Sequence, residues 1–167
     1  MSAVKKLTVA AILTALCIIF LYVGSLLPAV KISAVAIAGL LPAVAVIHCG
    51  YVWASGVYVA AGLLSLLLLP EKTCVIWFLI VFGHYGIFKS LLEQIENRVA
   101  EWALKLALFA VCIAIMFLLF HAFFIAALPQ YAEWLLFFGL LICFVLYDIA
   151  FSALISFYQR RIQPHVE

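Results

Sequence analysis

Ionisable side chains are scarce in this chain: 10% of its 167 residues are charged, and aspartate occurs once, as Asp148. With no clustered basic face, a nucleic-acid partner is not expected. A single aspartate excludes the paired carboxylates that an intramembrane aspartyl protease requires. Cysteine occurs five times (Cys17, Cys49, Cys74, Cys112, Cys143), never in a CxxC spacing, and histidine never in HxxxH or HExxH. Neither a metal site, nor a disulfide framework, nor a bound cofactor is therefore expected. A rhomboid-type serine needs a glycine-rich turn around its nucleophile, and Trp53-Ala54-Ser55-Gly56 lacks the first glycine. The chain is not expected to be an enzyme. No linker, repeat or low-complexity stretch divides it, so residues 1–167 are expected to form a single transmembrane domain.

What the chain does have is apolar surface. Hydrophobic residues make up 71% of it and the mean hydropathy is +1.37, more than one soluble core of this length can hide. Polar punctuation leaves six apolar stretches of roughly 15 to 24 residues, close to the thickness of a bilayer core. They are Leu7–Leu27, Ile32–Cys49, Val52–Leu69, Cys74–Phe88, Leu104–Leu128 and Trp134–Phe157. With both termini on one side, Lys5, Lys6, Lys89, Arg98, Lys105, Arg160 and Arg161 fall on that side, and only Lys31 and Lys72 on the other. That bias places the termini in the cytoplasm. The predicted fold class is all-α, an integral membrane bundle of six transmembrane helices, multi-pass in the cell (plasma) membrane with the lipid bilayer as its main partner.

Within this frame, helix two (Ala34, Ala36, Ala38, Gly39, Ala43) and helix three (Gly56, Ala60, Ala61, Gly62, Ser65) present small residues suited to close packing in lipid. Pro42 is expected to bend helix two. From Ser90 to Lys105 the pattern turns amphipathic: Leu91, Leu92, Ile95, Val99 and Trp102 recur at three- and four-residue steps, with Glu93, Glu96, Arg98 and Glu101 between them. An amphipathic helical inner connection between helices four and five is therefore expected.

Polar groups inside the spans are the candidates for a site. Asp148 falls near the middle of helix six, where a carboxylate is costly and should face a partner or a cavity. By depth alone its nearest candidates are His84 and Tyr85. His121 lies in the outer half of helix five. Tyr22 and Ser25 end helix one, Trp77 begins helix four, and Tyr131 and Trp134 open helix six. These are either interfacial anchors or the lining of an outer pocket.

Three features together resemble the S components, the substrate-capture subunits, of energy-coupling factor (ECF) transporters. The first is the small six-helix design with both ends inside. The second is the opening Lys5-Lys6-Leu7-Thr8-Val9-Ala10-Ala11-Ile12-Leu13-Thr14-Ala15-Leu16, with Ala11 and Ala15 in the Ala-x-x-x-Ala spacing of that family's first helix. The third is the alanine- and glycine-rich helices two and three followed by Leu69-Pro70. The resemblance implies that Ala11 and Ala15 dock onto a transmembrane coupling subunit carrying an ATPase pair. It also implies an outer pocket for a vitamin-like small-molecule ligand, for which Tyr22, Ser25, Trp77, His121, Tyr131, Trp134 and Asp148 are the candidates. The alternative expectation is a structural or assembly membrane protein that binds its partner through segment 89–105.

Overall fold

The computed structural model describes residues 2–94, 97–123 and 130–161; the side chains at 98, 117, 119–123, 130–138 and 158–161 are outside that description. The chain is all-helical through these residues. In order, α1 spans Ala3–Leu26, α2 Lys31–Cys49, α3 Tyr51–Leu68, α4 Thr73–Trp77, α5 Tyr85–Leu92, α6 Arg98–Phe123 and α7 Gln130–Arg161. Short 3₁₀ geometry at Pro28–Val30 joins α1 to α2, and a π-turn at Phe78–Phe82 follows α4. Among the described residues, six segments are long and apolar enough to cross a membrane: Ala3–Leu26, Pro28–Cys49, Tyr51–Leu68, Thr73–Leu92, Val99–Met116 and Gly139–Phe157. Each overlaps one of the six stretches read from the sequence. This is a multi-pass membrane protein.

Its helices begin and end where backbone chemistry requires. Pro28 starts the 3₁₀ turn, where a missing N–H costs nothing. Gly50 separates α2 from α3 at φ 90, a left-handed conformation that a Cβ disfavours, and its N–H closes α2 on the Val46 carbonyl at 3.0 Å. Lys72 caps α3 by donating from Nζ to the carbonyls of Leu66 and Leu69, both at 2.5 Å. Asn97 opens α6 by accepting the Val99 N–H at its Oδ1, 3.0 Å away. Of the segment expected to form an amphipathic helical connection, the described residues are the end of α5, a turn at Glu93–Gln94 and α6 from Arg98; residues 95 and 96 lie outside that description.

The chain divides into two compact units, Met1–Lys105 and Leu106–Glu167. In the first, α1 packs along both α2 and α3, and α2 also packs on α4, the π-turn and α5. The core is built from Cys17, Leu21, Val35, Ala38, Ala61, Cys74, Val75 and Phe78, all but inaccessible. Alanines at the contact let backbones approach closely, which is how helices associate where lipid supplies no hydrophobic drive. Two contacts bring helix ends together at one end of this unit: Cys49 Sγ donates to the Lys6 carbonyl at 3.7 Å, and Gln94 Nε2 to Tyr51 Oη at 2.8 Å. At the opposite end Lys31, the first residue of α2, pairs with Glu71. In the second unit α6 and α7 face each other through Phe109 and Phe144, stacked with ring centroids 3.8 Å apart.

Pro42 lies fully buried inside α2, which runs unbroken past it. A proline cannot donate to the carbonyl four residues back, here Ala38. That carbonyl instead accepts the Cys17 thiol from α1 at 3.4 Å, with Cys17 and Ala38 both wholly buried. The cysteine therefore does more than fill space. Cys17→Ala is expected to destabilise the protein by about 1–3 kcal/mol, because it strands a buried carbonyl. Cys17→Ser, which keeps a donor, should recover part of that loss. Equal thermal midpoints in detergent for wild type and Cys17→Ala would contradict this role.

Candidate functional site

A groove of about 640 Å³ runs between α1 and α3 in the first unit. Ala11, Thr14 and Ala15 from α1 and Gly56 and Ala60 from α3 line it with small side chains, and Leu7, Val52 and Leu64 stand along its rim. The rim residues are 58%, 82% and 43% exposed, so this face of the first unit is open. Thr14 turns its hydroxyl back onto the Ala10 carbonyl at 2.8 Å, so its polar oxygen is already engaged by its own helix. Gly56 is the unusual member. Its φ is not positive, and a Cβ built there would meet nothing within 4 Å. Packing among the described residues therefore gives no reason for a glycine at this mid-helix position, where glycine disfavours the helix by about 1 kcal/mol relative to alanine.

The sequence candidates for an outer pocket are placed as follows. Tyr22 is 46% exposed near the end of α1, and Ser25 donates to its backbone carbonyl at 2.7 Å. Gly24, between them, lies where α1, α2 and α4 converge: a Cβ there would stand 3.1 Å from Ala34 Cβ and 3.6 Å from Cys74 Sγ. Trp77, the last residue of α4, is half-buried and packs against the core of the same unit. Asp148 belongs to the second unit, where it is buried at 2% exposure beside Tyr147 and accepts the Ser152 hydroxyl at its own backbone carbonyl, 3.0 Å away. The side chains of His121, Tyr131 and Trp134 lie outside the described residues, although the backbone at these positions is helical. His84 sits in the first unit, its Nδ1 3.3 Å from the Leu79 carbonyl and its ring edge-on to Phe88.

Segment 89–105 holds a charge network that periodicity alone does not reveal. Lys89 and Lys105 are 3% and 2% exposed, and both reach Glu93 Oε1, at 3.1 and 3.4 Å. Lys105 also donates to Glu101 Oε1 at 2.6 Å. Their ammonium groups lie over aromatic faces, Lys89 over Tyr85 at 5.9 Å and Lys105 over Trp102 at 5.5 Å. The i, i+4 spacings of Lys89 to Glu93 and of Glu101 to Lys105 were visible in the sequence. The bridge between them, twelve residues long, was not.

At the other end of this unit the Lys31–Glu71 pair joins the start of α2 to the loop after α3. The hydrogen bond from Lys31 holds the Glu71 carboxyl below the usual glutamate range; partial desolvation opposes it, and the charge of Lys31 and a hydrogen bond with Thr73 assist. A depressed carboxyl pKa stabilises the fold above the unfolded value of about 4.3, and that contribution disappears as pH falls through the folded value. The thermal midpoint of wild type should accordingly drop faster than that of Glu71→Gln on acidification below about pH 4.3. Parallel curves would show that the clasp carries no stability.

The fold and these surfaces define the class: an α-helical, multi-pass membrane protein. Comparison with protein-family models, with curated proteins and with solved structures finds no match.

Proposed function

We propose that this protein is a membrane-embedded substrate-binding subunit of an ECF-type importer, with its termini in the cytoplasm of a cell whose plasma membrane it spans. In this reading it captures a vitamin-like small molecule from the outer side and performs no chemistry. The groove between α1 and α3 is its docking face for a transmembrane coupling subunit with an ATPase pair. The observation that carries the reading is the exposed row of Ala11, Ala15 and Gly56, small residues lining the groove, with no packing partner among the described residues accounting for Gly56. In lipid such a face gains stability by admitting another helix to close van der Waals range. The two lysines on the outer side in this orientation, Lys31 and Lys72, are both engaged, one with Glu71 and one on the end of α3. Their exception to the positive-inside bias thus has a structural cause.

The rival reading, an assembly protein recognised through segment 89–105, has less behind it. Of the acidic groups it would present, Glu93 and Glu101 are engaged by Lys89 and Lys105, and Glu96 lies outside the described residues.

The test combines pull-down with ligand stabilisation. Ala15→Leu and Gly56→Leu fill the groove from opposite walls. Each is expected to leave the stability within about 1 kcal/mol of wild type while lowering recovery of a coupling subunit and its ATPases at least tenfold. Wild type should gain thermal stability with a member of a vitamin panel, and both variants should retain that gain. Undiminished recovery of the ATPases by both variants would remove the docking role of the groove. Failure of every vitamin to shift the midpoint would remove the capture function.

A further inference from the structure

We infer that the π-turn at Phe78–Phe82 is a register hinge in the fourth membrane span, held in its five-residue pitch by the Tyr58 hydroxyl. The span Thr73–Leu92 is not one α-helix but three pieces: α4, the π-turn and α5, with Gly83 and His84 in a turn between the last two. The π pitch is closed by the Gly83 N–H on the Phe78 carbonyl, five residues back, at 2.6 Å. Such turns are intrinsically poorer than α-helix and persist where the surroundings hold them. Here the surroundings are specific. Tyr58, reaching across from α3, donates its hydroxyl to the Leu79 carbonyl at 2.7 Å, and His84 Nδ1 lies 3.3 Å from the same oxygen. The Tyr58 ring also contacts the rings of Phe78, at 5.9 Å between centroids, and of His84, at 6.3 Å.

The neighbouring backbone is shaped to receive this turn. A Cβ on Gly39 of α2 would stand 2.8 Å from the Phe82 carbonyl oxygen, and one on Gly83 would stand 2.8 Å from both the Phe78 carbonyl oxygen and Tyr58 Cδ2. One side-chain donor from another helix therefore stands between a five-residue turn and the ordinary four-residue one. Release of that donor lets the chain pass to α-helical pitch by a one-residue slip. The slip turns α5 by about 100° and moves it about 1.5 Å along its axis relative to α4. Tyr85 and Lys89 travel with it. The hinge is a property of the fold and does not depend on what occupies the groove between α1 and α3.

Hydrogen exchange read by mass spectrometry on the full-length protein in lipid nanodiscs tests the hinge. Tyr58→Phe keeps the ring and removes only the latch. Exchange in peptides covering residues 78–92 is expected to rise about tenfold, with peptides from α1 and α2 unchanged. His84→Phe, which keeps a ring and removes the second donor, should raise exchange in the same peptides by a smaller factor; it carries the test should Tyr58→Phe fail to fold. Unchanged exchange at 78–92, or a rise spread evenly over residues 2–94, would overturn the hinge.

Discussion

A helix that deviates from α geometry inside a bilayer releases backbone carbonyls into a solvent that offers them no donor. Each such group costs several kcal/mol if left alone. The first unit of this protein is organised around that constraint. Among its described residues, Pro42 in α2 and the π-turn after α4, with the Gly83–His84 turn that follows it, are irregularities at membrane depth, and a side chain from another helix answers the proline and the π-turn. Cys17 meets the Ala38 carbonyl, and Tyr58 meets the Leu79 carbonyl. The helix irregularities thus specify which helices lie beside which. Cys17 must be on the helix next to Pro42, and Tyr58 on the helix next to the π-turn, which fixes the order of packing more narrowly than apolar contact alone would.

The same logic accounts for the ends of the spans. Helix termini carry carbonyls and N–H groups without intrahelical partners. At the junctions these are met by Lys72 beyond α3, by the Gly50 turn beyond α2 and by Asn97 ahead of α6. Glu71 and Lys72 stand at the junction beyond α3, and the Lys89–Glu93–Lys105–Glu101 network joins α5 to α6, where each lysine lies within reach of carboxylate and aromatic ring. The residues lining the α1–α3 groove carry no charge, with small side chains in it and larger apolar ones along its rim, and the docking role proposed for it draws on that contrast.

The six spans were legible in the sequence because uninterrupted apolar length is a one-dimensional signal; the span expected at Cys74–Phe88 lies inside the observed Thr73–Leu92. Ala11 and Ala15 on a shared face followed from their four-residue spacing. The hydrogen bonds that knit the unit were not legible, because Cys17 to Ala38 and Tyr58 to Leu79 each bridge 21 residues and depend on which helix faces meet. Half of each was nonetheless written in the chain. Pro42 identifies the carbonyl that will lack a donor, and Gly83-His84-Tyr85-Gly86 within a run of bulky residues marks the stretch where regular pitch fails. The turn at Glu93–Gln94 has no mark in the periodicity, because the amphipathic spacing continues across it, while Asn97 ahead of α6 is a local polar signal within that pattern.

The account depends most directly on the state of the Leu79 and Ala38 carbonyls in lipid. Isotope-edited infrared spectroscopy, with a ¹³C=¹⁸O label placed at one of these two positions at a time, measures that state. Both amide I bands are predicted at the lowered frequency of a hydrogen-bonded carbonyl, and unmoved when the surrounding water is replaced by D₂O. A band at the frequency of a free carbonyl, or one that shifts with the solvent, would contradict the claim that side chains within the bundle satisfy its broken helices.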